Sequence, residues 1–211
     1  MLKINDISFK YQGAKDLTLK NVSAFVEHGE VLAVVGPSGG GKSTFLRVVS
    51  GLESPKQGKI LIDDKDVTSV RSEKRNIGML FQDYALFPHL TVEKNIAYGL
   101  KGSRSNKKQR VMKMLELVDM IGYEKRYPYE LSGGQQQRIA LARALAPEPK
   151  ILLLDEPFSN LDTELLSTIR HELFEIVRNL KMTTIMVTHN KMDAEYADKV
   201  IKIIDGKVDQ A

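Results

Sequence analysis

The chain of 211 residues has no cysteine, which excludes a disulfide framework, a thiolate metal site and a cysteine nucleophile and suits a reducing, cytosolic setting. Long apolar runs are missing too. The longest, Val31–Val35 and Ile151–Leu154, fall far short of the ~18 to 20 residues that cross a bilayer, so a membrane role is expected to come through a partner. The opening Met1-Leu2-Lys3-Ile4-Asn5-Asp6 alternates apolar and polar as a strand does, unlike a secretory signal. An excess of one charge is also absent: 31 Lys and Arg against 27 Asp and Glu leave a formal +4. That balance is too mild and too interspersed to argue for nucleic acid. One local exception runs from Lys101 to Lys113, basic with no acid, which reads as a solvated loop and helix start or as a face near anionic headgroups. Internal repeats and low-complexity segments are lacking.

The 42% of hydrophobic residues suffices for a core of ordinary size, so the chain should fold alone. Leu2–Phe9 and Leu17–Val26 read as strands of an antiparallel β region with a turn around Gln12-Gly13. Val31–Val35 is short, continuously apolar and followed by glycines and a helix from about Lys42 to Ser50, the pattern of a strand buried on both faces. Lys59–Ile62, Ile77–Phe81, Ile151–Leu154, Thr183–Val187 and Val200–Ile204 are further strands, the last closing with a turn at Asp205-Gly206. Val111, Met114, Leu115, Val118 and Ile121 recur at helical spacing, as do Leu166, Ile169, Leu173, Ile176, Val177 and Leu180. The expected fold class is α/β: one domain over 1–211, with a mainly parallel core formed by 1–82 and 150–211 and a helical insertion at 83–149.

Three motifs carry chemistry. Gly36-Pro37-Ser38-Gly39-Gly40-Gly41-Lys42-Ser43-Thr44 is a complete phosphate loop between a strand and a helix. Its glycines let successive N–H groups converge on an anion, the helix start adds partial positive charge, and Lys42 reaches the β and γ phosphates. Ser43 should give its hydroxyl to Mg2+. Asp155 and Glu156 end a buried strand, so their carboxylates emerge at the sheet edge where parallel α/β proteins place ligands. Asp155 would hold Mg2+, and Glu156 would polarise the attacking water as the base. Leu131-Ser132-Gly133-Gly134-Gln135 lies between these two motifs. Ser132 and Gln135 fit a capping box that satisfies a helix start. Capping leaves Gly133 and Gly134 unexplained, each costing roughly 1 kcal/mol relative to alanine in a helical turn; an anion approaching the backbone explains them. The helix proper is expected over Ile139–Leu145.

That order of motifs resembles the ATP-binding-cassette ATPases, and the resemblance covers essentially the whole chain. In that family the middle motif closes over ATP held by a second subunit, which implies an ATP-dependent head-to-tail homodimer. Each ATP is then bound by the Lys42 side of one chain and by Ser132, Gly133, Gly134 and Gln135 of the other. The resemblance further implies that His189, after the strand Thr184–Thr188, contacts the γ phosphate, although a lone histidine is commonly a bystander. Gln82 resembles the family's glutamine that touches Mg2+ and the attacking water. Tyr11 stands where the family stacks an aromatic ring on adenine, though a lone tyrosine could equally be core or surface. Asp162, in the loop Ser159-Asn160-Leu161-Asp162, is placed to meet the opposing subunit, with Asn160 replacing a common alanine.

The segment Phe81–Val92 looks like the ATPase subunits of bacterial importers of sugars, polyamines, sulfate and ferric iron. Arg126–Glu130 and Leu141–Pro147 lean weakly to ferric iron. The implied setting is peripheral, on the cytoplasmic face of the membrane, with membrane permease subunits docked on a groove around 83–100 and a solute-binding protein engaged indirectly. Members of these groups usually continue into a C-terminal regulatory β domain, so a short member or a shortened chain is expected. Two rivals are a soluble cassette ATPase outside transport, which would normally carry a coiled-coil insertion or second cassette, and an ATP-switched dimerisation module, which the acids, Gln82 and His189 argue against.

Overall fold

The computed structural model describes residues 1–161 and 166–209. Its strands are β1 (Leu2–Phe9), β2 (Leu19–Val26), β3 (Val31–Val35), β4 (Gln57–Ile62), β5 (Lys65–Asp66), β6 (Ile77–Leu80), β7 (Ile151–Asp155), β8 (Thr183–Val187), β9 (Lys199–Ile204) and β10 (Lys207–Asp209). The α-helices are α1 (Lys42–Ser50), α2 (Val92–Ala97), α3 (Arg104–Leu117), α4 (Gly133–Leu145), α5 (Leu166–Asn179) and α6 (Lys191–Ala194).

Two sheets form, in the orders β2-β1-β4-β5 and β10-β9-β3-β8-β7-β6. The first is antiparallel. The second is parallel from β9 through β6, with β10 joining antiparallel at its edge. The central strands β3, β7 and β8 of this second sheet serve two cores at once. Leu32, Val34, Ile151, Leu153, Ile185 and Val187 pack with Phe45 and Leu46 of α1 and with the antiparallel sheet. Val31, Ala33, Leu152, Leu154 and Met186 pack on the other side with Leu115, Ile139 and Leu173 of the helices. A side-chain period of two puts alternate residues on opposite faces, and both faces here are dry.

Residues 83–149 hold α2, α3 and α4 and no strand. Their apolar side chains share one cluster with the sheet. The periodic stripe overshoots the helix that carries it: α3 ends at Leu117, Asp119 turns through φ 54°, and Ile121 lies outside, 58% exposed. Leu180 likewise falls one residue past α5 and is exposed. Periodicity cannot see the left-handed residue that stops a helix. α4 begins at Gly133 rather than Ile139, because Ser132 caps it there. The short elements α2, α6 and β5 leave no periodic trace in the sequence, being held by tertiary contacts rather than propensity.

Candidate functional site

β3 delivers the chain into the phosphate loop at the carboxyl edge of the parallel sheet. Gly36 has φ 151°, and a Cβ there would stand 2.1 Å from the Ile203 carbonyl oxygen of β9, so no other residue fits. Gly41 at φ 103° turns the loop into α1. Lys42 is buried, and its Nζ donates to the carbonyls of Gly36 and Pro37, each at 3.0 Å. A buried ammonium whose direct hydrogen-bond partners among the described residues are neutral carbonyls is suited to receive an anion. Thr44 is hydrogen-bonded to the Tyr11 hydroxyl at 3.2 Å, and the Tyr11 ring stands edge-on to Phe9 with 37% of the residue exposed. The structure therefore brings Tyr11 to the phosphate loop.

β7 brings the two acids to the same edge. Ser43 Oγ donates to Asp155 Oδ1 at 3.0 Å. Burial pushes the Asp155 carboxyl above its ordinary value, with Glu156 adding to the rise; the Ser43 hydrogen bond and the charges of Arg47 and Lys42 oppose it. Glu156 takes a left-handed φ of 45°, and its N–H donates to the Val187 carbonyl of β8 at 2.9 Å, a sharp exit that turns its carboxylate toward β8. His189 follows β8, and its Nδ1 lies 3.2 Å from Glu156 Oε2. Gln82 follows β6. Its carbonyl accepts from Asn160 Nδ2 at 2.8 Å, and it borders a cavity of about 460 Å3 with Arg47 and Asp155.

The Ser132 motif stands apart from this cluster in its hydrogen bonds. Ser132 Oγ accepts from the Gln135 N–H at 3.4 Å, and Gln135 Oε1 accepts from the Ser132 N–H at 3.0 Å. The capping box thus exists, with Ser132 exposed and the first turn of α4 half-buried. Gly134 lies close to α5: a Cβ there would come 2.7 Å from Ile169 Cδ1, the end of a side chain that would have to turn aside. Gly133 meets only ordinary contacts, at 3.5 Å to Asn160 and Leu161, so nothing within the described chain requires glycine there. Asp162 lies outside the described residues.

Sequence reading missed several residues that shape the site. Arg143 of α4 donates to the carbonyls of Tyr84 and Ala85, two positive-φ residues after Gln82. Asn95 of α2, fully buried, bonds Phe87, Leu90 and Thr91 and so fixes the rest of that loop. Arg170, Asp193 and Thr188 form a buried polar group beneath His189. One signal was available for Arg170, since it falls on the apolar stripe of α5 beside Ile169 and Leu173.

The donors at the sheet edge are a hydroxyl, a carboxylate and an amide. Among the described residues no group of three His, Cys, Asp or Glu side chains forms a self-contained metal cage. Such a sparse oxygen set fits Mg2+, which keeps waters and takes its remaining ligands from substrate phosphates. The elevated Asp155 carboxyl beside Glu156 fits it too, since a divalent cation would relieve the desolvation.

Residues 19–159 match the family model described as ABC transporter. The sulfate/thiosulfate import ATP-binding protein CysA of Synechocystis sp. is 46% identical over 212 residues, covering 98% of this chain and 59% of that protein. A protein of the same name from Agrobacterium fabrum is 48% identical over 200 residues, 91% of this chain and 58% of its own. This chain therefore spans somewhat over half the length of these relatives. Among solved structures, the dimeric ATP-binding cassette MJ0796 bound to ADP and Pi superposes with a TM-score of 0.87 at 31% identity, covering 100% of this chain and 97% of that one. The cbiO1 protein of Clostridium perfringens, part of the ABC transporter complex cbiONQ, gives a TM-score of 0.88 at 31% identity over 99% and 86% of the two chains. With the phosphate loop and the two acids gathered on one sheet edge and a family match over most of its length, this chain belongs to the ABC transporter family, as an ATPase domain of that family.

Proposed function

We propose that the chain binds and hydrolyses ATP between two copies of itself and that this powers import of an inorganic oxyanion of the sulfate or thiosulfate kind. The observation that carries the reading is the joining of phosphate loop and acids by the Ser43–Asp155 hydrogen bond at 3.0 Å, with His189 at 3.2 Å from Glu156. The dimeric ADP-bound neighbour supports the pairing. The names of the relatives support the oxyanion. They move the reading away from ferric iron, whose sequence basis is weak for a physical reason: Arg143 holds two carbonyls, and Tyr127 to Glu130 form a local turn.

In the proposed mechanism Lys42 and the loop N–H groups hold the β and γ phosphates while Tyr11 offers its ring to adenine. Ser43, Asp155 and Gln82 would hold Mg2+, which neutralises charge developing on the phosphate oxygens. Glu156 accepts a proton from the attacking water, and His189, beside it, bears on the γ phosphate. Ser132, Gly133, Gly134 and Gln135 present their helix start to the partner's ATP, and Asp162 meets the partner's loop. The closed dimer is favoured by ATP and released by ADP, so work on a permease comes from the difference in affinity. Residues 83–149 act as a helical subdomain, with the surface near 83–100 taking the permease at the inner membrane face; a solute-binding protein would act through that permease.

The test has two arms. Purified protein should turn over Mg-ATP, and with its permease and binding protein in vesicles it should accumulate sulfate. Absence of turnover overturns the ATPase reading. Uptake of ferric iron or a sugar with none of sulfate overturns the oxyanion assignment.

A further inference from the structure

Beneath the proposed hydrolytic site lies an ion pair that the mechanism does not use. Arg170 of α5 and Asp193 of α6 are both 3% exposed. The Nε and Nη2 of Arg170 each reach Asp193 Oδ1 at 2.8 Å. Burying two charges costs more than their attraction commonly returns, so such a pair is weak evidence for stability and invites another explanation.

The other oxygen of that carboxylate supplies one. Asp193 Oδ2 accepts from Thr188 Oγ1 at 2.6 Å, and Thr188 Oγ1 in turn accepts from the Asn190 N–H at 3.0 Å. The Asp193 N–H closes the ring on the Asn190 carbonyl at 3.2 Å. Both chain neighbours of His189 are therefore tied to Asp193, Thr188 directly through the carboxylate and Asn190 through the Thr188 hydroxyl and the Asp193 N–H. The imidazole itself is 57% exposed, so packing does little to orient it, and its aim is inherited from this backbone. The guanidinium of Arg170 also lies 5.5 Å from the ring centroid of Phe158, two residues after Glu156. One cation thus contacts supports on both sides of the Glu156–His189 pair. Glu156, His189, Thr188 and Asp193 border a common cavity of about 170 Å3, room for a few waters.

We infer that Arg170 and Asp193, acting through Thr188, are positioning residues that hold His189 against Glu156. The inference rests on the proposed ATPase reading. Displacing an exposed imidazole by a fraction of an ångström leaves most of the nucleotide contacts intact and disturbs the reacting end alone.

The experiment removes the support in two ways. Thr188→Val deletes the hydroxyl at nearly constant shape. Arg170→Met with Asp193→Leu deletes the pair as a unit and strands no charge. Each is made in the full protein, alone and with His189→Ala, and kcat, affinity for a non-hydrolysable Mg-ATP analogue and melting temperature are measured. The expected result is affinity within about twofold of wild type and kcat lowered at least tenfold when His189 is present. When His189 is already alanine, the same substitutions should change the residual kcat less than twofold. Unchanged kcat in both supports, or an equal loss with and without His189, overturns the inference and makes the ion pair a fold element only. If the double substitution does not fold, Thr188→Val decides alone. A wild-type protein that lacks turnover would instead overturn the ATPase reading.

Discussion

Glu156 and His189 sit at the ends of adjacent parallel strands, and their side chains meet at 3.2 Å, Oε2 to Nδ1. Neither strand alone could make this pairing. It follows from β7 and β8 being hydrogen-bonded in register, Asp155 beside Val187, so that the next residues emerge together at the sheet edge. In the proposed mechanism the carboxylate takes the proton of water, and the imidazole orders the reacting phosphate beside it.

Replacing Glu156 with Gln should leave Mg-ATP binding within a few-fold of wild type and lower kcat by about 10²-fold or more, the usual scale for a lost base. The same variant saturated with Mg-ATP should become dimeric by light scattering, and adding Ser132→Arg should return it to monomer. Wild-type turnover in Glu156→Gln would remove that residue from its role.

Asp155→Asn should abolish turnover yet raise the melting temperature at neutral pH in metal-free buffer. The sign follows from the raised carboxyl: a folded-state value above the unfolded one means the folded chain binds protons more readily, so stability is fullest at low pH and declines as pH rises through the folded value. The gain over wild type should therefore shrink as pH falls toward the ordinary value of 3.8. A gain that is constant with pH would contradict this.

Gly134→Ala sets two effects against each other. Helix propensity favours alanine by at most about 1 kcal/mol. The new Cβ, 2.7 Å from Ile169 Cδ1, meets the far end of a flexible side chain that borders a cavity, so a rotamer change relieves the crowding and a net change of less than about 1 kcal/mol is expected. Ile169→Val removes the crowded methyl, so in that background Gly134→Ala should show the helix-propensity gain undiminished, measurable by urea denaturation of the four proteins of the cycle.

Tyr11→Ala should weaken ATP binding by the loss of one stacked base, about 1 to 3 kcal/mol or about 5- to 150-fold in Kd, with kcat at saturation changed little. Tyr11→Phe keeps the ring and loses only the Thr44 hydrogen bond, so its affinity should stay near wild type. Equal losses in both variants would show that the hydroxyl, rather than the ring, matters.

The central strands β3, β7 and β8 were legible because they are short, mostly apolar and bounded by turns, and the described cores bear out why: both of their faces are covered. The phosphate loop was legible because glycine is demanded locally, as at Gly36. Helix ends were read less well, Ile121 and Leu180 being assigned to stripes that had already ended. The glycines of the Ser132 motif were credited to a ligand alone, while one of them also lies close to Ile169.

By itself the sequence determined the chemistry on offer, namely a phosphate loop, two acids at a strand end, a histidine after another strand and a capped helix start between them, since each is encoded by residues within a few positions of one another. Only the tertiary structure decided which side chains support them: Asn160 on the Gln82 carbonyl, Arg143 on the loop beyond it, and Arg170 on Asp193 beneath His189. Those contacts join residues between 23 and 78 positions apart. Their partners are backbone carbonyls or a lone carboxylate, which leave no pattern in a sequence and acquire meaning only when the packing of α4, α5 and the sheet brings them within hydrogen-bonding distance.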